Sequence, residues 1–471
     1  MRRFIISTLT TLVYCLFYLV TAAQTPGLTV VDKAALTLSN GVYGNIINGQ
    51  SFQQDAIVSY KGWQYISYYN AQRQVCIARR KLPTGDWQVL AFTDYRFSFA
   101  RNLDNDAHNT ISIGICPNDG TLHMAFDHHA NDLHYRVSQK KMLDNANTVT
   151  WSADLFSPVL DHLEEGKTLK SVTYPCFTTT PKGDLLFSFR VGGSNDASYY
   201  IGQYSGRTGA WGNIHEIISG KGDYHDPFKG VSIARNAYIN GLTYDNKGRL
   251  HISWTCREKA EGLGNRDIAY SYSPDDGNTW YNTFNKVIGT ADGKQLVSML
   301  SPDVVVKALD RGWGMMNSQS QTVDAKGVMH TVMYHRKQGG QPEWARFNKD
   351  GAYFHYYRKP DGHWQEIPIP AMANRPKLVA DKQRNLYLLF VQKDHFDSKK
   401  EAAPLIVWKA TAVKQWTDWQ QVYVSDAPYF NEPQFDLFRW QKEGILSMMV
   451  QDAPDSTGAA SAIKVLDIKK P

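Results

Sequence analysis

Four positions open the chemical reading of this 471-residue chain: His108, Asn109, His128 and His129. Tyr174 and Arg190 follow, then Arg235, Tyr238, Arg257 and Glu258, then Asn317, Gln319, His335 and Arg336. His, Tyr and Arg dominate this set, and Glu258 is nearly its only carboxylate. Such charges are costly to bury unpaired, whereas a solvated cleft that binds an anion accounts for them together. An ordinary glycosidase needs two carboxylates flanking the bond, and this set does not offer them. The sequence holds no G-x-S-x-G elbow, no H-E-x-x-H motif and no Gly-rich phosphate loop in a βαβ context. His, Tyr and Arg suit β-elimination on a uronic acid. The C5 proton lies α to a carboxylate. It becomes removable when Arg donors neutralise that carboxylate and stabilise the enolate-like charge that develops. A His can then act as the base. A Tyr can give a proton to the departing O4, or serve as both acid and base on one face of the sugar. This chemistry requires no cofactor and no metal ligand is assigned; a structural Ca²⁺ or Zn²⁺ stays open.

The elements that would position these side chains come from a repeat. A polar turn followed by a short alternating run begins at Tyr60-Lys61-Gly62-Trp63 and returns at Asn118-Asp119-Gly120-Thr121. It recurs with turn positions 183, 248, 327, 385 and 444, the sixth carrying Asn where the others carry Gly. Seven units of roughly 60 residues match a four-stranded propeller blade with long loops. Gly or Asn at each turn is expected to supply the positive φ of a tight hairpin. The longest interval contains Ser273-Pro274-Asp275-Asp276-Gly277-Asn278-Thr279-Trp280, a complete S-x-D-x-G-x-T-W Asp-box. The reading is all-β, a seven-bladed β-propeller; a six-bladed propeller with an extra sheet is the main alternative. If the turns mark one face, residues 9–12 before and 7–9 after each turn converge on the other. Taken to within about two residues, that register picks out the residues named above from units two to five. His123, His251 and His330, each three residues after a turn, read instead as repeat scaffold.

Composition narrows the class. Apolar residues make up 42% and charged residues 20%, which excludes a disordered chain. The net charge of +6 is dispersed and does not imply nucleic acid. A local cationic groove for an acidic polymer remains consistent with it. Arg2 and Arg3, the apolar run Phe4 to Val20 and Thr21-Ala22-Ala23 read as a secretory signal over residues 1–23. One catalytic domain over 24–471 is expected, secreted or periplasmic and without stable membrane association. Cys76, Cys116, Cys176 and Cys256 form no close CxxC pair and are expected to be buried free thiols.

His108-Asn109-Thr110-Ile111-Ser112-Ile113-Gly114 and the run from Asp119 through Asp127-His128-His129 resemble the BNR-repeat polysaccharide lyases. These are the seven-bladed ulvan lyases of families 24 and 25, and the resemblance to family 25 is closer. Arg235-Asn236-Ala237-Tyr238 and Gly248 to Trp254 are similar too. The resemblance implies a secreted enzyme that cleaves ulvan, a sulfated green-algal polysaccharide, between 3-sulfated rhamnose and glucuronate or iduronate. It implies catalytic roles for His108, His128, Tyr174 and Arg190, the Arg neutralising the uronate. Asn109, His129, Arg235, Tyr238, Arg257, His335 and Arg336 are then expected substrate contacts. An α-L-rhamnosidase on rhamnose–glucuronate glycans is the competing enzyme, but its catalytic His lies in the first blade and this chain has no His before His108. A non-catalytic glycan-binding propeller is the other class.

Overall fold

The computed structural model describes residues 27–471 except 40, 42–43, 51–54, 98–105, 195–196, 227–229, 259–263, 341–350, 372, 374 and 393–401. The expected signal segment lies outside the described residues. Seven antiparallel sheets follow one another around a ring. Their innermost strands are Ile57–Tyr60, Ile111–Cys116, Val172–Thr179, Asn236–Tyr244, Ser320–Val323, Lys377–Ala380 and Gln434–Phe435, for blades 1 to 7. A separate two-stranded hairpin, Lys221–Asp226 with Gly230–Ala234, precedes blade 4 and adds no eighth blade. The fold is a seven-bladed β-propeller. Its ring is closed by chain ends far apart in sequence: Gly27–Ala35 is the outer strand of blade 7, paired with Ser461–Lys469. Among the described residues no helix is long and apolar enough to cross a membrane.

The core sits between blades. Ile113 and Met124 of blade 2 pack with Tyr65 and Ile77 of blade 1, and Leu388 and Phe390 of blade 6 pack with Val332 and Tyr353 of blade 5. Both faces of a blade are therefore covered, which is why middle strands such as Thr121–Phe126 are buried along their whole length. All four described cysteines are buried free thiols.

The turns form the face opposite the site. Gly248 adopts φ +77° between the first two strands of blade 4. Asp245 accepts from the backbone N–H groups of Lys247 and Arg249 at 2.8 and 2.9 Å, and its other oxygen meets His251 Nε2 at 3.3 Å. His251 is thus turn scaffold. Two turns depart from expectation. At the sixth, the left-handed residue is Arg384 (φ +69°), not Asn385, whose side chain instead donates to Asp381. At the seventh, Gly444 ends a short helix, Leu437–Glu443, N-capped by Asp436. The Asp-box turn is closed by Asp275, which accepts from Ser273 Oγ and Thr279 N, both at 2.8 Å.

Candidate active site

The residues at the other ends of these strands converge from blades 2, 3 and 4. His108 lies just ahead of the innermost strand of blade 2. Asp106 holds it, one carboxylate oxygen accepting from both the backbone N–H and Nδ1 of His108, at 2.9 and 2.8 Å. The other oxygen of Asp106 takes Nδ1 of His129. The two imidazoles stack with centroids 4.2 Å apart and planes 17° apart.

His129, not His128, is the partner of His108. The backbone explains it: Asp127 and Ala130 have φ +64° and +62°, so the alternation of the preceding strand stops at Phe126. The chain then crosses to blade 3, where His129 pairs with Thr173. His128 is fully buried, and its Nε2 accepts the backbone N–H of His134 at 2.8 Å. Burial, with His134 beside it, pushes His128 well below the usual imidazole range. The side chain of His129 is 25% exposed and stands at the mouth of the cluster.

Blade 3 supplies Tyr174 and Arg190. Tyr174 occupies a bulge between Thr173 and Cys176 with φ +56°. A tyrosine in this conformation is strained, and such bulges re-aim a side chain. Its ring lies 5.9 Å from that of His108 and 5.8 Å from that of Tyr238. The Arg190 guanidinium lies 4.7 Å from the Tyr174 ring and 4.9 Å from the Tyr238 ring. Arg190 is 2% exposed, yet its Nε and Nη1 make no hydrogen bond to the protein. Blade 4 adds Tyr238, whose hydroxyl accepts from Arg257 Nη1 at 2.9 Å. Asn109 is buried, with no hydrogen-bond donor at its Oδ1.

These surroundings divide the titrating groups. Burial and the neighbouring His129 outweigh the pull of Asp106 and bring His108 down to about 3, so the ring is neutral near pH 7. Asp106 is held below the usual carboxylate range: its two histidines outweigh burial. Burial and Tyr238 push Tyr174 up to about 12 against the arginines, keeping it protonated. Tyr238 goes the other way: burial opposes, but Arg190 and Arg257 prevail and lower it. The site holds a neutral imidazole, a protonated phenol and an under-bonded guanidinium within one cluster.

Other expected contacts are placed differently. His335 belongs to the packing of blade 5: its Nδ1 bonds Arg336 O, its Nε2 bonds the Tyr356 hydroxyl, both at 2.7 Å, and its ring stacks on Phe354 at 3.9 Å. Strand alternation turns it into the blade, so it is not a cleft contact. Arg336, next on that strand, is also buried. Arg235 lies over Tyr224 and joins Arg266 and Arg311 around the Glu258 carboxylate, at 3.5, 3.3 and 3.0 Å. One site residue, Asp106, is not among those that register picks out. Asp106 stands two residues before His108, a D-x-H spacing that signals a carboxylate-held imidazole. Arg375 of blade 6, which the register does place before the sixth turn, is braced by Asn317 and Glu432 and contributes its charge to Tyr174 and Arg257.

Among the described residues, Asp106, His108 and His129 alone bring three metal-binding side chains within 4.8 Å of one another. Their contacts are hydrogen bonds. A zinc ion would hold each donor at about 2.0–2.2 Å and spread Nδ1 and carboxylate beyond hydrogen-bond distance.

A seven-bladed propeller carrying a His–Tyr–Arg cluster at one end of adjacent blades defines the class. The chain belongs to the BNR repeat-containing family, whose description matches residues 63–372. It is 22% identical over 342 residues to the long isoform of ulvan lyase from Glaciecola sp. (strain KUL10), which covers 65% of this chain and 33% of that protein. It is 23% identical over 346 residues to the long isoform from Pseudoalteromonas sp. (strain PLSV), covering 65% and 34%. The chain thus spans about a third of the length of these curated relatives. In three dimensions it is similar to the polysaccharide lyase Uly1, with TM-score 0.71 and 19% identity, covering 94% of this chain and 99% of that one. A PL25 ulvan lyase bound to -[GlcA(1-4)Rha3S]- gives TM-score 0.64 and 12% identity, covering 94% and 95%.

Proposed function

We propose that the protein is an ulvan lyase, a polysaccharide lyase that breaks the bond from 3-sulfated rhamnose to a uronate by β-elimination. The observation that carries this reading is Arg190, buried with two N–H positions unmet by the protein and flanked by Tyr174 and Tyr238. A buried donor without a partner calls for an explanation, and a uronate carboxylate in bidentate contact supplies one. In this reading Arg190 neutralises the carboxylate. His108 removes the C5 proton, the electron pair forms C4=C5, the C4–O4 bond breaks, and Tyr174 gives its proton to O4. His108 and Tyr174 are close enough, ring to ring, to serve one face of one sugar. His129 takes the cleft position expected of His128. Asn109, Tyr238 and Arg257 bind the sugars, with Arg235 and Arg336 as outlying cationic contacts. The chemistry uses no metal. The basic and apolar N-terminal segment supports export to the medium or periplasm, where such a polymer is met, and one catalytic domain over 24–471.

The test is ultraviolet absorbance with ulvan, and with a rhamnose–glucuronate gum in parallel. The expected result is a rise from the conjugated unsaturated uronate on ulvan, lost in Tyr174→Phe. Free rhamnose from the gum with no rise on ulvan would move the protein to the hydrolases. Binding to ulvan without either product would make it a glycan-binding propeller.

A further inference from the structure

We propose that Asp106 is a positioning residue that fixes both His108 and His129 as Nδ1–H tautomers, one carboxylate oxygen to each ring. The inference rests on the lyase reading above and deepens it. Asp106 stands 14 residues before the turn at Gly120, farther from its turn than the other site residues.

The geometry carries it. Asp106 is 2% exposed, so its carboxylate has little water to turn to. An ionised carboxylate only accepts hydrogen bonds. One oxygen faces the backbone N–H and Nδ1 of His108, and the other faces Nδ1 of His129. Both Nδ1 atoms must then be donors. In a neutral imidazole that leaves Nε2 as the nitrogen bearing the lone pair. Both rings thereby present the same atom to chemistry, and His108 acts through Nε2.

The stacking sets the charge. Two imidazolium rings 4.2 Å apart repel, and one carboxylate balances only one of them. Among the described residues, His108 is faced by Asp106 on its own loop, His129 on the segment crossing to blade 3, and Tyr174 and Arg190 of blade 3. Of these only Asp106 is a carboxylate. When His108 takes a proton from substrate, its charge forms against Asp106. Oriented imidazole and stabilised imidazolium are what a buried aspartate gives the histidine of a serine-protease triad; here one aspartate does so for two rings.

The test combines ¹⁵N NMR of histidine-labelled protein with steady-state kinetics on ulvan. Wild type is expected to show His108 and His129 protonated on Nδ1. In Asp106→Asn the side-chain amide can donate to Nδ1, so at least one ring should switch to Nε2–H. Its kcat should fall by about 100-fold or more with KM within about threefold, by analogy with the triad aspartate. Asp106→Glu should restore part of kcat. Wild-type rings protonated on Nε2 would overturn the proposal without any variant, so a misfolded variant does not shelter it. So would a folded Asp106→Asn with undiminished kcat, or one whose loss lies in KM with tautomers unchanged. Wild-type activity removed by a chelator and returned by Zn²⁺ would overturn it in favour of a metal held by the same three side chains. If wild type leaves ulvan intact, the lyase reading falls, while the tautomer spectra, which need no substrate, still decide the assignment of Asp106.

Discussion

At the scale of single residues, the cluster works by pulling apart groups that would otherwise titrate within a few units of each other. His108 at about 3 and Tyr174 at about 12 owe their values first to burial, which disfavours imidazolium and phenolate alike. The signs give a prediction. A base must be neutral, so activity fails as pH falls through the value of His108. An acid must be protonated, so activity fails as pH rises through the value of Tyr174. The rate constant kcat/KM on ulvan should therefore stay level from about pH 5 to about pH 10. A profile falling steeply below pH 6.5 would mean that the base titrates as an ordinary imidazole and that burial does not hold His108 down. Much of this site was legible from distance to the turn, because His108, Tyr174, Arg190 and Tyr238 sit at equivalent strand ends. What was not legible depends on backbone twist. Asp127 in the left-handed region puts His129 where simple alternation puts His128, and plain alternation turns His335 into blade 5.

At the scale of elements, a blade divides its labour between its two ends. The turn end is a clasp. In blade 4 Asp245 satisfies two backbone donors, Arg249 and His251 around one tight turn. In blade 5 Asp324 serves Lys326 and Val328 and also reaches Arg384 of blade 6, so the clasp joins neighbours. The cluster end is where strands are allowed to bulge, as at Tyr174. Asp245→Ala should therefore separate stability from catalysis. It leaves buried donors without acceptors, a loss on the order of 3 kcal/mol. The urea midpoint should drop while kcat on ulvan at low temperature stays within about twofold. The side chain of Asp245 is fully buried, and its histidine and arginine partners hold it below the usual carboxylate range despite that burial. Its contribution is thus present above about pH 4 and lost as pH falls below it, so wild type and variant should converge in acid. A variant with unchanged midpoint, or with kcat lost at full stability, would refute this division. The turn clasps were legible as His recurring three residues after Gly. The helix Leu437–Glu443 was not: it replaces the seventh turn, and Gly444 serves as its left-handed C-cap as readily as it would serve a hairpin.

At the scale of the whole molecule, seven repeats close only because the first strand of the ring belongs to the last blade. Counting turns from 62 to 444 finds seven units, and no count of turns shows where residues 27–35 go, since their strand precedes the first turn. They complete blade 7 by pairing from Gly27 with Asp467 to Ala35 with Ser461. They also reach the next blade: Arg80 Nη1 and Trp87 Nε1 of blade 1 donate to Thr29 Oγ1 at 2.9 and 3.1 Å, and the Tyr68 hydroxyl donates to Asp32 at 2.8 Å. One strand thus pairs with blade 7 and binds blade 1 by side chains. His108, His129, Tyr174, Arg190 and Tyr238 come from blades 2, 3 and 4, so their mutual geometry depends on the ring holding those blades in register more than on the closing strand itself. Removing residues 27–35 should lower the thermal midpoint by roughly 10 °C and broaden the transition, because blade 7 can then open from blade 1 without disrupting blades 2 to 4. Activity on ulvan well below the midpoint should fall far less than in Tyr174→Phe. An unchanged midpoint would mean that inter-blade packing alone holds the ring. Full loss of activity in a protein still folded by circular dichroism would mean that the cluster needs the closed ring to keep His108 and Tyr174 on the same sugar.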